Sequence, residues 1–310
     1  MGTPQPRLVE QHRYRLGDVG AWNTDLRQVT TGAKSLTIDT ASVLSIIARG
    51  YTYGTRTLFR EVQRLPWLAK EEPGGKCVLL DLPPHGYRVM PSEQIGDELW
   101  CRLLEEGREI CGAHEDIVLL LSGGLDSRIV AIVLAALSSQ GSLSGTVASL
   151  TWGIPGSRDV EYAREVASTL GFSWGHLELQ AEHLWQNVQA TALTLGAAVY
   201  PSHLHRMPWF ESLAKDTLVV AGSYGDSIGR AEFSGLHLLE LDKLRVDDGF
   251  GLLQLSYVRE AKEQLVQDLK RFHSGRGALP AYVRCEHEMQ GIYMRNSLSS
   301  VMDLIAKRCA

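Results

Sequence analysis

The apolar residues of this chain fall into two alternating kinds of run. Ile117-Val118-Leu119-Leu120-Leu121 is unbroken and stops at Ser122-Gly123-Gly124, after which Ile129, Val130, Ile132, Val133 and Leu134 recur at helical spacing. A short continuous apolar run bounded by turn residues reads as a strand buried in a parallel sheet, and the following pattern as a helix packed on it. The pair then repeats. A strand at 145–153 precedes a helix from about Ser157 to Leu170 with Gly171 as its stop, a strand at 174–179 precedes a helix near 181–196, and a last apolar strand covers 217–221. Such alternation predicts an α/β fold with a doubly wound parallel sheet, whose ligands bind at the carboxyl ends of the strands.

The flanks have a different texture. Leu36-Thr37-Ile38 alternates like a strand, Asp39-Thr40 suits a helix cap before Ala41–Arg49, and Gly50 suits its stop. Residues 77–82 and 87–90 are expected to form two strands joined by a turn at Pro83-Pro84-His85-Gly86, and a helix is expected from Pro91 to about Cys111. Residues 236–310 have a helical pattern without strand signals. The expected division is a small mixed α+β segment at 1–92 and a nucleotide-binding domain at 93–310 that ends in a helical part.

Composition narrows the class. An apolar fraction of 44%, a charged fraction of 22% and a net charge of −5 fit an ordinary globular protein. They give no footing for nucleic acid or an anionic membrane surface. No run is long enough for a transmembrane helix and the first residues lack an apolar signal core, so a cytoplasmic location is expected. Cys77, Cys101, Cys111, Cys285 and Cys309 form no C-x-x-C pair, and free buried thiols are expected.

The chemistry concentrates at the first strand end. Unpaired backbone N–H groups and the positive end of a helix attract an anion there. Gly123 and Gly124 let an oxygen-rich ligand approach the backbone, and Ser122 and Ser127 offer hydroxyls. Asp126 would repel a bare phosphate, which suggests a bridging divalent cation. Neither the G-x-x-x-x-G-K-[ST] loop nor the three-glycine dinucleotide fingerprint is present. Thr151-Trp152-Gly153 and Gly222-Ser223-Tyr224-Gly225-Asp226 would end two further strands on the same rim.

Ser122-Gly123-Gly124-Leu125-Asp126-Ser127 resembles the SGGxDS pyrophosphate loop of the PP-loop ATP pyrophosphatases, whose fold is described as adenine nucleotide α-hydrolase-like. Asp159-x-Glu161-Tyr162-Ala163-x-x-Val166-Ala167-x-x-Leu170-Gly171 is similar to a helix of the asparagine synthetase family, and Gly222 to Asp226 resembles its second metal loop. Gly50-Tyr51-x-x-Gly54-x-Arg56-Thr57-Leu58-Phe59-x-x-Val62-x-x-Leu65-Pro66 looks like the tail of that family's N-terminal glutaminase domain. The resemblance implies ATP and Mg²⁺ as cofactors. Ser122, Gly123, Gly124, Asp126 and Ser127 would hold the β/γ-phosphates, with Leu121 also among the cofactor-binding residues; Asp126 and Asp226 would bind the metal and act in catalysis, and Leu150, Thr151 and Gly153 would line the adenosine pocket. Gly222, Ser223, Tyr224 and Gly225 would also bind the cofactor. A small-molecule or peptide carboxylate would be activated as an acyl-adenylate and passed to ammonia or an amine, to give an amide.

Departures from the family pattern shape the expectation. Position 2 is Gly2 and no cysteine precedes Cys77, so glutamine hydrolysis by this chain is not expected; a separate glutaminase or a precursor peptide is a candidate partner. Ser223 and Ser227 stand where the family has acidic residues, Tyr224 where glycine is usual, and Lys307 is the only late lysine. These features leave a nucleotide-binding pseudoenzyme, or a subunit needing a partner, as the alternative. Arg158 and Asp159 suit either a helix start or a ligand contact, and His203 and His205 either a metal site or ordinary packing.

Overall fold

A computed structural model of the chain describes residues 11–18, 20–49, 51–52, 54–80, 89–195, 204, 207–214, 216–222 and 253–274. The elements in chain order are β1 (Tyr14–Leu16), α1 (Leu26–Thr31), α2 (Thr40–Arg49), β2 (Val62–Arg64), β3 (Ala69–Glu71), β4 (Cys77–Leu79), α3 (Ser92–Cys111), β5 (Asp116–Leu120), α4 (Leu125–Ser139), β6 (Thr146–Gly153), α5 (Arg158–Leu170), β7 (Ser173–Glu178), α6 (Ala181–Leu195), β8 (Leu218–Ala221) and α7 (Leu255–Ser274). Two compact units result. One combines Met1–His85, Leu184–Met207 and Phe233–Arg308; the other combines Gly86–His183 and Pro208–Glu232 with Cys309–Ala310.

The second unit is built on a parallel sheet of four strands in the order β7-β6-β5-β8. From β5 the chain moves outward in one direction to β6 and β7, then returns to the opposite side of β5 as β8. The order therefore reverses between β5 and β8, the topological position at which open α/β sheets receive their ligands. Ile117 and Leu119 on one face of β5 are 1% and 0% exposed. They pack with Leu121, with Ala131 and Leu134 of α4, and with Ala163 and Ala167 of α5. Val118 and Leu120 point to the other face and are only half-buried, so the uninterrupted apolar run is more deeply covered on one side. Truncating a side chain such as Leu134 in this cluster would cost about 2–5 kcal/mol. Alanines on α4 and α5 let both helices lie close to the sheet, and α5 stops at Gly171 in the left-handed conformation (φ 72°).

The first unit has two small antiparallel ribbons, β1 with β2 and β3 with β4. Tyr14, Leu26 and Val62 form a core of their own. Helix α7 buries Val258, Ala261 and Leu265 along one stripe, and α2, with Ala41 and Leu44 fully buried, packs against it. A charged clasp joins the same two helices. Arg56 donates from Nη1 to Asp39 Oδ2 at 2.8 Å and from Nε to Asp268. Asp39 Oδ2 also accepts the Ser42 hydroxyl at 2.7 Å. Burial works against the Arg56 charge, yet hydrogen bonding and attraction from Asp268, then Asp39, raise its pKa above the ordinary value.

Two expectations change, and one strand gains a partner that local pattern did not indicate. Residues 77–79 form a strand as expected, and Ala69–Glu71 pairs with it. Residues 81–88, including that turn, lie outside the described residues. The tight turn that enables pairing is Glu72-Pro73-Gly74-Gly75-Lys76, whose two glycines both take positive φ. Leu36–Ile38 contributes only an isolated bridge, Ile38 with Phe59. Cys111 is a buried thiol, raised in pKa by that burial, but Cys77 is half-buried and Cys101 is exposed on the outer side of α3; Cys285 and Cys309 lie outside the described residues. No described helix is long and apolar enough to cross a membrane.

Candidate functional site

The parallel register brings three strand ends to one level. Leu120 lies opposite Leu150 on one side and Ala221 on the other. Ser122 onward and Gly222 leave the sheet at this level, while β6 continues beside them through Trp152 and Gly153, still paired with β7, so all three ends lie along one rim. The first of them enters α4 through Gly124, which caps the helix in an extended conformation (φ −71°, ψ 155°) without any side-chain hydrogen bond to the helix end. Ser122, Gly124 and Leu125 are exposed, so this helix start is open to a ligand.

Internal bonds hold the loop in shape. The Ser122 N–H donates to Ser127 Oγ at 3.1 Å, and the Gly124 N–H donates to Ser122 Oγ at 3.2 Å. Ser127 Oγ lies 3.0 Å from Ser122 O and 3.1 Å from Gly124 O, and its single proton serves those two carbonyls. Ser127 is only 5% exposed. Its hydroxyl acts as a brace inside the loop, whereas Ser122 stands at the surface.

Two close approaches explain why glycine is needed here. A Cβ on Gly123 would come within 3.1 Å of Asp159 Cα and Oδ1 and of Tyr162 Cβ, so the first turns of α5 form one wall of the loop. A Cβ on Gly222 would meet the Asp126 carbonyl carbon and the Ser127 nitrogen at 2.6 Å. The end of β8 thus passes directly over the start of α4, and the second loop begins against the first. The backbone contact leaves no room for a side chain.

The remaining candidates sort by burial. Leu121 and Leu150 are 2% and 7% exposed, their side chains belonging to the interior. Thr151 is 3% exposed and its hydroxyl donates to Leu121 O at 2.8 Å. Gly153 makes room for α5, because a Cβ there would meet Val160 Cγ2 at 2.6 Å. Asp126 sits in the first turn of α4, half-exposed, where the helix dipole also favours a carboxylate. Arg158 and Asp159 occupy the exposed first turn of α5, and Glu161 there pairs with Arg164. Ser223, Tyr224, Gly225 and Asp226 lie outside the described residues, as do His203 and His205.

The donor set suits a metal that arrives with phosphates better than a free ion. Among the described residues no group of three or more His, Cys, Asp or Glu side chains is placed to hold a metal. A hard divalent cation such as Mg²⁺ needs only one or two carboxylates when phosphate oxygens supply other ligands. Asp126, beside an open helix start, meets that requirement. Tyr162, part of the family-like helix but given no site role from sequence, stands at the loop wall, and the Trp174 indole, which donates to Thr151 Oγ1 at 3.0 Å, was not legible as a site residue. Their contacts depend on helix docking and strand register, not on any local motif.

Comparison with known proteins agrees in one respect. The family model of asparagine synthase matches residues 109–298, which contain the loop, the α5 wall and β8. No curated protein sequence gives a significant match. Among solved structures, the NH3-dependent NAD synthetase from Campylobacter jejuni subsp. jejuni NCTC 11168, in complex with the nitrate ion, is 18% identical. The match covers 62% of this chain and 98% of that one, with a TM-score of 0.30.

Proposed function

The chain belongs to the asparagine synthase family, and from that premise we propose that it is an ATP-dependent carbon–nitrogen ligase that activates a carboxylate as an acyl-adenylate. The general class, an ATP-using synthetase, follows from family membership. The finer proposal rests on one observation: an exposed helix start without a side-chain cap where the strand order reverses between β5 and β8, with Gly222 pressed against Asp126 and Ser127. Such a site attracts a polyphosphate through backbone N–H groups and the helix dipole.

In this proposal Ser122, Gly123 and Gly124 take the β- and γ-phosphates, which leave as pyrophosphate. Ser127 keeps the loop in the receiving shape. Asp126, with Asp226 from the second loop, holds Mg²⁺, which neutralises charge on the departing phosphates when bound. Backbone groups at 150–153 border the adenosine. The substrate carboxylate attacks the α-phosphorus, the bond to the β-phosphate oxygen breaks, and an amine or ammonia then displaces AMP. The carboxylate is a small molecule or a peptide, and the nitrogen comes from ammonia, an amine or a partner subunit.

Asp126→Asn tests the assignment. The variant is expected to keep its fold and lose AMP formation by on the order of 100-fold or more, because it removes a metal-holding charge. Unchanged AMP formation would remove Asp126 from the site. A second reading, a nucleotide-binding chain without turnover, is favoured by Ser223 and Ser227 at positions where the family carries acids. Tight ATP binding with no product from any acceptor would support it.

A further inference from the structure

The residue that launches the loop is held at both of its main-chain polar groups. The Leu121 N–H donates to Leu150 O at 2.9 Å, and Leu121 O accepts from Thr151 Oγ1 at 2.8 Å. Thr151 has a single hydroxyl proton, which goes to Leu121; its lone pair accepts from Trp174 Nε1 at 3.0 Å. The Trp174 ring stacks against His176, with centroids 5.9 Å apart and planes 4° from parallel. His176 Nε2 lies 3.1 Å from Gly153 O, a carbonyl acceptor that makes Nε2 the protonated nitrogen. The series crosses β7, β6 and the end of β5, and stops one peptide short of the loop.

That last peptide matters because it is a rigid plane. Its oxygen, Leu121 O, is fixed by Thr151, and its N–H, on Ser122, is fixed by Ser127 Oγ at 3.1 Å. Thr151 and Ser127 therefore grip opposite ends of one planar unit. Release of either end frees the plane to rotate and carries Ser122 with it. Thr151 is 3% exposed and both its hydroxyl bonds are internal, so its side chain has no geometry for touching a nucleotide.

We propose that Thr151 and Trp174 are positioning residues: they orient the Leu121–Ser122 peptide and thereby set the pyrophosphate loop for cleavage between the α- and β-phosphates. This rests on the ligase function proposed above. The expected consequence is kinetic. A small misplacement of a reacting group costs far more in the transition state than in ground-state binding.

The test compares Thr151→Val, Thr151→Ser and Trp174→Phe in the full chain, at a temperature where all three remain folded by circular dichroism. Steady-state AMP release from Mg-ATP gives kcat and KM, and calorimetry with Mg-pyrophosphate gives loop affinity. Thr151→Val is expected to lower kcat about tenfold or more, Thr151→Ser to stay within about threefold of the parent, and Trp174→Phe to fall between, since it removes only the support of the hydroxyl. A Thr151→Val protein that melts earlier but retains the parental kcat would overturn the proposal, because the hydroxyl would then be purely structural. If the parent releases no AMP with any carboxylate, the ligase function fails and the calorimetry decides positioning alone. Pyrophosphate affinity lowered in Thr151→Val and restored in Thr151→Ser supports it; equal affinities, or no pyrophosphate binding by the parent, overturn it. Should Thr151→Val not fold, the Trp174→Phe kinetics decide: a parental kcat overturns the proposal.

Discussion

The Arg56 clasp and the Ser122–Ser127 loop are both polar networks, but they solve opposite problems. In the clasp, one guanidinium is neutralised by Asp39 and Asp268, and Asp39 is further bonded to Ser42. Its charges are answered from within the protein, so it ties α2 to α7 and has little left for a ligand. In the loop, most of the bonds are hydroxyl and backbone contacts, joined by Arg128 Nε donating to Gly124 O at 3.3 Å. Among the described residues no side chain caps the helix start beside them, so its exposed N–H groups can face a ligand. The difference separates a stabilising network from a binding one better than polarity or burial alone.

The contrast is open to direct attack. The largest effect is expected from Gly222→Ala. The added Cβ would need to displace backbone at Asp126 and Ser127 from 2.6 Å. Turnover should fall by on the order of 100-fold, with a stability loss of about 1–3 kcal/mol. Steady-state AMP release and urea denaturation measure the two; a fully active variant would mean that the two loops do not meet as described. Arg56→Met should show the reverse balance. It removes the cation that Asp39 and Asp268 share and leaves Asp268 only its longer pairing with Arg271 at 3.6 Å, so a loss of about 3 kcal/mol in unfolding free energy is expected. Its pyrophosphate affinity, measured well below the unfolding transition, should remain within about twofold of the parent. Equal stability of variant and parent would show that the clasp merely decorates the helix pair.

The smallest effect concerns Glu61 in the first unit. Its Oε2 accepts the Thr37 N–H at 2.9 Å, and this bond lowers its pKa from the ordinary carboxylate value. A depressed carboxylate contributes stability above its unfolded-state pKa and loses it as the pH falls through the folded value. The melting temperature of Glu61→Gln should therefore lie slightly below the parent at neutral pH, and the gap should close below about pH 4. A gap independent of pH would assign the effect to packing.

The second unit was largely legible because each of its signals is local. The apolar run, the paired glycines and the helical repeat at 117–134 sit within one strand–loop–helix, and 146–153, 158–170 and 218–221 repeat the pattern. In the first unit the determinants are distant. β1 has only three residues and pairs with β2, Tyr14 opposite Arg64, so no local alternation identifies it. Arg56 finds Asp268 across 212 positions, far beyond any motif. Within the site, Ser122, Gly123 and Asp126 could be named from the loop itself. Thr151 was named too, but its bond to Leu121 O and its support from Trp174 appear only once the strand register places them side by side.

Product analysis of Mg-ATP turnover by the unmodified chain, with a panel of carboxylates and ammonia, tests the central claim most directly. AMP and pyrophosphate in equal amounts, formed only when an acceptor carboxylate is present, are expected. ADP and phosphate would contradict cleavage between the α- and β-phosphates, and with it the role given to the loop at 122–127.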